Sequence, residues 1–589
     1  MYPDSTLVDV LACCANGGRG MAGLHLWNTA SRDYDHVSYA ELARRSFAFG
    51  ARLADRGCID GGVCLIACHS PYATLVAFYG AISAGAVPMI LPMPKALGSH
   101  QALAERIRYW GFKFSRAPVL VLESGLEEKF HSEIPPEIAT IRLSDSPSGS
   151  LEALDKPTAG RLPLSGDIAF FQTTSSSTGD HKAVAIAHGN VLSNVYGIRA
   201  AVDMEATEKM ISWLPLFHDM GLVGAVLFSL CQGYPLYLMT PTQFIKRPLL
   251  WLRGISDARC TITTAPNFGY DYCCRLISDK DAGALDLTCV KHFFIGAEPI
   301  RESTIRGFCS KFAAAGVGHD QVRPAYGLAE STIITTISRP RTPARFAYLD
   351  PGSIGFNQPV RLLGTRLFDA LDDSDPTESV AVCTAGRAIA EMSVTLVDEE
   401  GLPVTGDGFA GEIVIKGGSV ALGYVGDGKE PVDRFHDSTV ATGDLGVIID
   451  GDLFIIERIK NVIIRSGENF LVSALEQRLA DLFGVSHDNV AVFESDIHDP
   501  RSDIVVLVEK RAELAEDQVD RILANMPSET LIIDSILLHR ARAIPRTTSG
   551  KKRHFYCRRL YNSGELSFQQ RIAVTPDRIA AALKTTSTD

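Results

Sequence analysis

Ser38-Tyr39-Ala40-Glu41 has the pattern of a capping box, and Leu42, Phe49 and Leu53 follow it near helical spacing. Next come the short apolar run VCLIACHS, the helical stretch PYATLVAFYGAISAG opening at Pro71, and the apolar run AVPMIL. That is a strand, a helix and a strand, the unit of a parallel sheet covered by helices. The same rhythm continues in DIAFFQTT, KMISWLPL, YPLYLMT and VKHFFIG, each a compact apolar run ahead of a polar or glycine-rich turn. Loops that follow parallel strands are where open α/β sheets take ligands, and the hydroxyl-rich loop after DIAFFQTT is expected to be one of them.

Between residues 339 and 379 proline, aspartate and serine dominate, which reads as an inserted, partly exposed segment or as an ordinary long loop. After Gly411 the pattern changes to short strands (GEIVIKG, DLFIIERI, NVIIRSG). A helix from Ser473 is then expected, with Glu476 closing a second capping box and Leu475, Leu479 and Leu482 on one face. The runs NVAVFES and DIVVLVEKR, the helix EDQVDRILANM and the run LIIDSILLHR complete a small α/β unit. The expected fold is therefore α/β, with a large N-terminal region of stacked α/β subdomains over 1–457 and a small C-terminal α/β domain over 458–589. No internal repeat or low-complexity segment interrupts it.

Composition narrows the function class. The 589 residues carry 57 Lys and Arg against 69 Asp and Glu, a net charge of -12, so a nucleic-acid footprint is not expected beyond a local basic groove. Thirteen cysteines without paired CxxC spacing fit free thiols in a reducing compartment. The first residues, MYPDSTLVDVLACC, lack the basic-then-apolar pattern of a secretory signal. Glycines and Pro88 break the apolar stretch from Ala73 to Pro92, so no membrane span is expected and a cytoplasmic location is.

The loop itself, FFQTTSSSTGDHKAVAIAHGN over 170–190, offers what a polyphosphate needs: small residues that let backbone N–H groups approach, hydroxyls, and a cation. Thr174, Ser175, Ser176, Ser177, Thr178, Gly179 and Lys182 supply them. The spacing is not that of a P-loop, and by itself a solvated Ser/Thr turn reads equally well.

The loop resembles the TSGSTGxPKG signature of the adenylate-forming superfamily, which includes acyl-CoA ligases, luciferases and the adenylation domains of peptide synthetases. Further stretches match in the same order: WLPLFHDMGL at 213–222, APNFGYD at 265–271, GAEP at 296–299, AYGLAES at 325–331, TGDLG at 442–446, ERIKNVIIRSGEN at 457–469 and PRTTSGKK at 545–552. Within the superfamily, LFHDMGL, PNFGYD and the inserted segment resemble the fatty acyl-AMP ligases.

The resemblance implies an ATP- and Mg²⁺-dependent reaction of a fatty acid to an acyl-adenylate, then acyl transfer to the phosphopantetheine of a separate acyl carrier protein. It makes Lys551, His218 and Glu330 the catalytic set, with Glu330 also on Mg²⁺. The nucleotide would be held by Thr174, Ser175, Ser177, Thr178, Gly179, Lys182, Gly296, Ala297, Glu298, Tyr326, Gly327, Asp444 and Arg458. His218, Asp219, Met220, Gly221 and Phe268 fall to the acyl substrate, with Leu222, Val223, Val226 and Leu227 as one wall of an acyl tunnel or as a buried core helix. His218 stands where amino-acid-activating members tend to place an aspartate, and an imidazole suits a plain carboxylic acid better. Lys460 matches the hinge of a mobile small domain, and Lys552 is expected at the surface.

Several positions depart from the signatures. Ser176, His181 and Ala183 replace glycine, proline and glycine in the loop; Glu457 and Asn461 replace glycine and aspartate; His554 stands where an arginine is common. These changes leave the charged set intact. They motivate one rival, a degenerate nucleotide or acyl-adenylate sensor, beside the other, a long-chain acyl-CoA ligase.

Overall fold

The computed structural model describes residues 5–16, 22–93, 100–114, 116–124, 134–143, 162–174, 182–367, 379–425, 435–465, 468–497, 499, 501–526, 530–540, 542–546 and 551–586. Strands Val63–Ala67 and Val87–Ile90 pair in parallel, joined by helix Pro71–Ser83, which Ser70 caps. Strands Val119–Glu123 and Ala139–Leu143 extend that parallel sheet. Helix Tyr39–Asp55 lies against Pro71–Ser83 at a glycine crossing: a Cβ on Gly50 would come within 2.8 Å of the Gly80 carbonyl oxygen. Backbones meet that closely only where both partners lack side chains.

A second sheet has at its centre the parallel strands Leu236–Leu238, Met210–Ser212, Ile262–Ala265, His292–Ile295 and Val322–Tyr326, in that order. Gly23–Asn28 adds in parallel at one edge, and Asp33–Ser38 pairs with it antiparallel. A third region is antiparallel, built mainly from Val380–Ala388, Ala410–Gly417, Thr439–Ile449 and Asp452–Arg458. Beyond Arg458 follow the hairpin Val462–Arg465/Glu468–Leu471, helix Val472–Phe483 and a four-stranded sheet of Val490–Glu494, Ile504–Glu509, Ser535–His539 and Gln570–Ala573. The sheet's inner face, from Val490 to Ile572, forms an apolar core with the helix.

Four local expectations differ. Strand Ile168–Thr174 pairs antiparallel with Lys182–Ala187, so the hydroxyl-rich segment joins a hairpin instead of following a parallel strand. The segment after residue 339 is not simply a loop: Arg345–Leu349 is a buried strand between Leu362–Leu367 and Val380–Ala388. No capping box forms at Ser473, whose amide donates to Glu457 Oε2 at 2.9 Å, while Glu476 turns inward. Lys552 is mostly covered instead of standing free at the surface, because its ammonium pairs with Glu476 and donates to the His487 and Val490 carbonyls at 3.0 and 2.8 Å.

Candidate active site

The strands of the second sheet end side by side, and the motifs sit where they end. Ser212 leads to Phe217 and His218, Ala265 to Phe268, Ile295 to Gly296-Ala297-Glu298, and Tyr326 to Gly327 and Glu330. The carboxyl ends of parallel strands open a crevice because their connections must leave the sheet. Here they border a cavity of about 1220 Å³, whose other walls come from the antiparallel region and the small domain. Thr174, Lys182, His218, Asp219, Met220, Gly296, Ala297, Glu298, Tyr326, Gly327, Glu330, Asp444, Arg458, Lys460 and Lys551 all line it.

On one wall, Asp444 is fixed from both sides. Tyr326 donates its hydroxyl to Oδ2 at 2.7 Å, and Arg458 Nε lies 2.9 Å from Oδ1. Register explains the second contact, since Asp444 and Arg458 are directly paired on neighbouring antiparallel strands. A carboxylate has lone pairs for further donors, so this oriented Asp444 can still accept hydroxyls. Its charge in turn raises the Arg458 guanidinium above the ordinary arginine value, with burial opposing.

Glu330 accepts a hydrogen bond from the Tyr424 hydroxyl, and the Lys182 ammonium lies 5.2 Å from the Tyr424 ring centroid. Thr174 and Lys182 form the last pair of the hairpin. Ser175, Ser176, Ser177, Thr178, Gly179 and His181 lie outside the described residues. Among the described residues no group of three or more His, Cys, Asp or Glu could hold a metal ion. Glu330 offers one hard carboxylate at the cleft wall, and that fits Mg²⁺, which is usually held by one or two carboxylates together with substrate phosphates.

The glycines of this wall are dictated by backbone approach. A Cβ on Gly327 would sit 1.6 Å from the Ile333 carbonyl oxygen, and one on Gly296 2.4 Å from that of Ala325. Between them Ala297 holds φ +69°, a left-handed conformation that costs a non-glycine residue about 1–2 kcal/mol.

Lys551 reaches the cavity from the small domain. Burial lowers its pKa and the Arg458 cation lowers it further, while Asp219, Glu298 and Asp444 oppose both. Asp219 sits 2.6 Å from His218 Nδ1 and accepts the Met220 amide at 2.7 Å. Burial alone would raise the Asp219 carboxyl, but His218 and Lys551 outweigh it and hold the group below the ordinary value. Glu298 is raised, chiefly by burial.

The apolar lining of the cavity differs in detail from the expected tunnel wall. Leu222, Val223, Val226 and Leu227 belong to the core, on a π-helical turn Leu222–Leu227. The lining comes instead from Met220, Gly224, Phe228, Ile198, Met210, Ile262, Phe294 and Ile333. Phe268 does not border the cavity: its ring packs edge-on against Trp213 at 5.5 Å and its amide donates to Glu298. Gly221 also lies off the wall, in a turn where a Cβ would meet the Pro215 carbonyl oxygen at 2.3 Å. Sequence reasoning passed over Tyr424 and Arg301. The tyrosine has no local signature; Arg301 stands two positions beyond GAEP and could have been noticed there.

Comparison with known proteins agrees with this layout. The profile of the AMP-binding enzyme family matches residues 25–425. The chain is 31% identical over 462 residues to the medium-chain fatty acid–acyl-carrier-protein ligase TtuA of Teredinibacter turnerae, covering 74% of this chain and 69% of that protein. With the long-chain fatty acid–AMP ligase FadD32 of Mycolicibacterium smegmatis it shares 29% identity over 582 residues, 90% and 89% of the two chains. A solved structure from a study of fatty acyl-adenylate ligases of E. coli and L. pneumophila superposes with a TM-score of 0.84 at 26% identity, over 96% and 99% of the chains. On the family match and this architecture, the chain belongs to the AMP-binding enzymes of the adenylate-forming superfamily.

Proposed function

We propose that the protein is a fatty acyl-AMP ligase: it joins a fatty acid to the α-phosphate of ATP with release of pyrophosphate, then passes the acyl group to the phosphopantetheine of an acyl carrier protein. The observation that carries this reading is a single cavity lined both by Lys551, Asp444 and Tyr326 and by the apolar side chains of Ile198, Met210, Phe228, Ile262, Phe294 and Ile333.

In this reading Asp444 accepts the ribose hydroxyls while Tyr326 and Arg458 hold its two oxygens. Tyr326 stacks on adenine, bordered by Gly296, Ala297, Glu298 and Gly327. The segment Thr174–Lys182, with Ser175, Ser177, Thr178 and Gly179, takes the departing phosphates. Lys551 contacts both the fatty carboxylate and the α-phosphate, aligning nucleophile and electrophile and offsetting the charge that grows in the transition state. Mg²⁺, held by Glu330 and the phosphates, would neutralise charge on the leaving group. His218 engages Asp219, so this carboxylate of the cavity wall is already paired and does not recruit a substrate ammonium. Met220 begins the acyl wall.

Transfer to a carrier protein is supported by the relative named as an acyl-carrier-protein ligase. It also fits the contacts of the described residues 345–367, which are anchored on Glu302 of the large region and take one hydrogen bond from the small domain. Arg366 pairs with Glu302 at 3.0 Å, Tyr348 donates to Glu302 at 2.8 Å, and Asn469 of the small domain donates to the Ile354 carbonyl at 2.8 Å. Such ties would restrain the movement about Lys460 that transfer to coenzyme A requires. A cytoplasmic location accords with thirteen free cysteines, and no helix among the described residues is long and apolar enough to cross a membrane.

The test is ATP–pyrophosphate exchange. Exchange should require a fatty acid and fall by about 10²- to 10³-fold in Lys551→Ala, the usual cost of losing one preorganised transition-state donor. Exchange driven by amino acids, or unaffected by Lys551→Ala, would refute it.

A further inference from the structure

Arg301 is a half-buried cation that belongs to the large region yet bonds to the small domain. Its Nη2 donates to Asp271 Oδ2 at 2.6 Å, where Thr304 Oγ1 also donates at 3.1 Å. Its Nη1 reaches the other way, 3.4 Å from His487 Nδ1 and 3.6 Å from Asp488 Oδ1. A guanidinium has no acceptor, so His487 Nδ1 must accept, and its proton sits on Nε2. That nitrogen faces Glu476 Oε2 at 3.6 Å. Glu476 also pairs with Lys552 and with His554 Nε2, the latter at 2.7 Å, and Lys552 is tied to the His487 and Val490 carbonyls. The neutral form that this geometry needs is the stable one. Burial, reinforced by the Lys552 and Arg301 cations, brings His487 down to about 4 against the pull of Glu476.

The chain of contacts therefore runs from Asp271 through Arg301 and His487 to Lys552, whose neighbour is Lys551. We propose that Arg301 is a positioning residue: it receives the turn at His487–Asp488 and so fixes the small domain where Lys551 enters the cavity. The inference rests on the function proposed above for the rate it predicts, but not for the contact itself.

Two measurements on the full chain test it. In fatty-acid-dependent pyrophosphate release, Arg301→Ala and Asp488→Asn should each lower kcat about 10- to 100-fold, the scale of a misplaced catalytic group. KM for ATP should stay within about twofold, because Asp444 and Tyr326 are untouched, and Arg301→Lys should recover part of kcat. The double variant should be no slower than the worse single one, since both remove one contact. An unchanged kcat, or losses that multiply, would overturn the proposal. Hydrogen exchange supplies the second readout and needs no turnover: residues 487–490 and 551–554 should exchange faster in Arg301→Ala than in the native chain. Equal exchange would overturn the strut even if no fatty acid were activated, whereas faster exchange without any adenylation would leave the strut standing and refute the function.

Discussion

Lys551 is an ammonium whose charge is needed in a place that works against it. Because burial and Arg458 lower its pKa, the adenylation rate should fall with rising pH before the ordinary lysine value of 10.5 is reached. The direction is fixed: the active form is protonated, so activity is kept below the folded pKa and lost above it. A pH–rate profile checks this, and Lys551→Arg, slower but charged throughout, should lack that falling limb. Asp444→Asn should instead act on nucleotide binding, raising KM for ATP by about 10- to 100-fold, as expected for hydrogen bonds to a charged group worth about 1.5–3 kcal/mol. An unchanged KM would remove Asp444 from the ribose. These residues were legible because each lies inside a contiguous motif whose chemistry is local. Phe268 lies in such a motif too, but its ring follows the packing of Trp213, which no local pattern encodes.

At the scale of the element, helix Val472–Phe483 illustrates what local pattern leaves out. Ser473 and Glu476 have capping-box spacing, yet their partners are Glu457, on the strand Asp452–Arg458 beyond the intervening hairpin, and Lys552, 76 residues away. Glu476 is buried, with its side chain at 2% exposure, and Lys552 is mostly covered at 10%, so Glu476→Gln would leave a largely desolvated ammonium without its counter-charge. The expected cost is about 3–5 kcal/mol, read from denaturant unfolding and from exchange in residues 472–483. Stability within about 0.5 kcal/mol of the native chain would show the pair to be idle. The native carboxyl is depressed to about 2: burial opposes ionisation, but Lys552, His554 and His487 prevail. A depressed carboxyl stabilises above its unfolded value and loses that contribution as pH falls toward about 2. The hairpin at residues 168–187 escaped notice for a similar reason. A strand followed by a polar loop reads alike whether the chain then turns into a helix or back along the sheet, and only pairing decides.

At the scale of the whole molecule, four histidines among the described residues, His25, His188, His292 and His487, are held down to about 4, in each case chiefly by burial. They are neutral in the fold, whereas in the unfolded chain each takes a proton below its ordinary 6.5. Stability is therefore full above pH 6.5, declines as pH falls toward 4 and levels off below it on this account. Urea midpoints at about pH 7.5 and 4.5 should differ in that direction; equal midpoints would contradict it. The alternation of apolar runs and helices made the α/β class readable. The joining of a parallel sheet to an antiparallel one through Val322–Tyr326 and Thr336–Ile337 was not, because strand order is set by long-range pairing. The cleft exists because these sheets and the small domain meet, and its proposed use rests on what it makes. The direct measurement is mass spectrometry of products after incubation with ATP, Mg²⁺ and mixed fatty acids, with coenzyme A present or absent. Acyl-AMP that persists in the presence of coenzyme A is the predicted result; acyl-CoA formed at its expense, or no adenylate at all, would contradict the account.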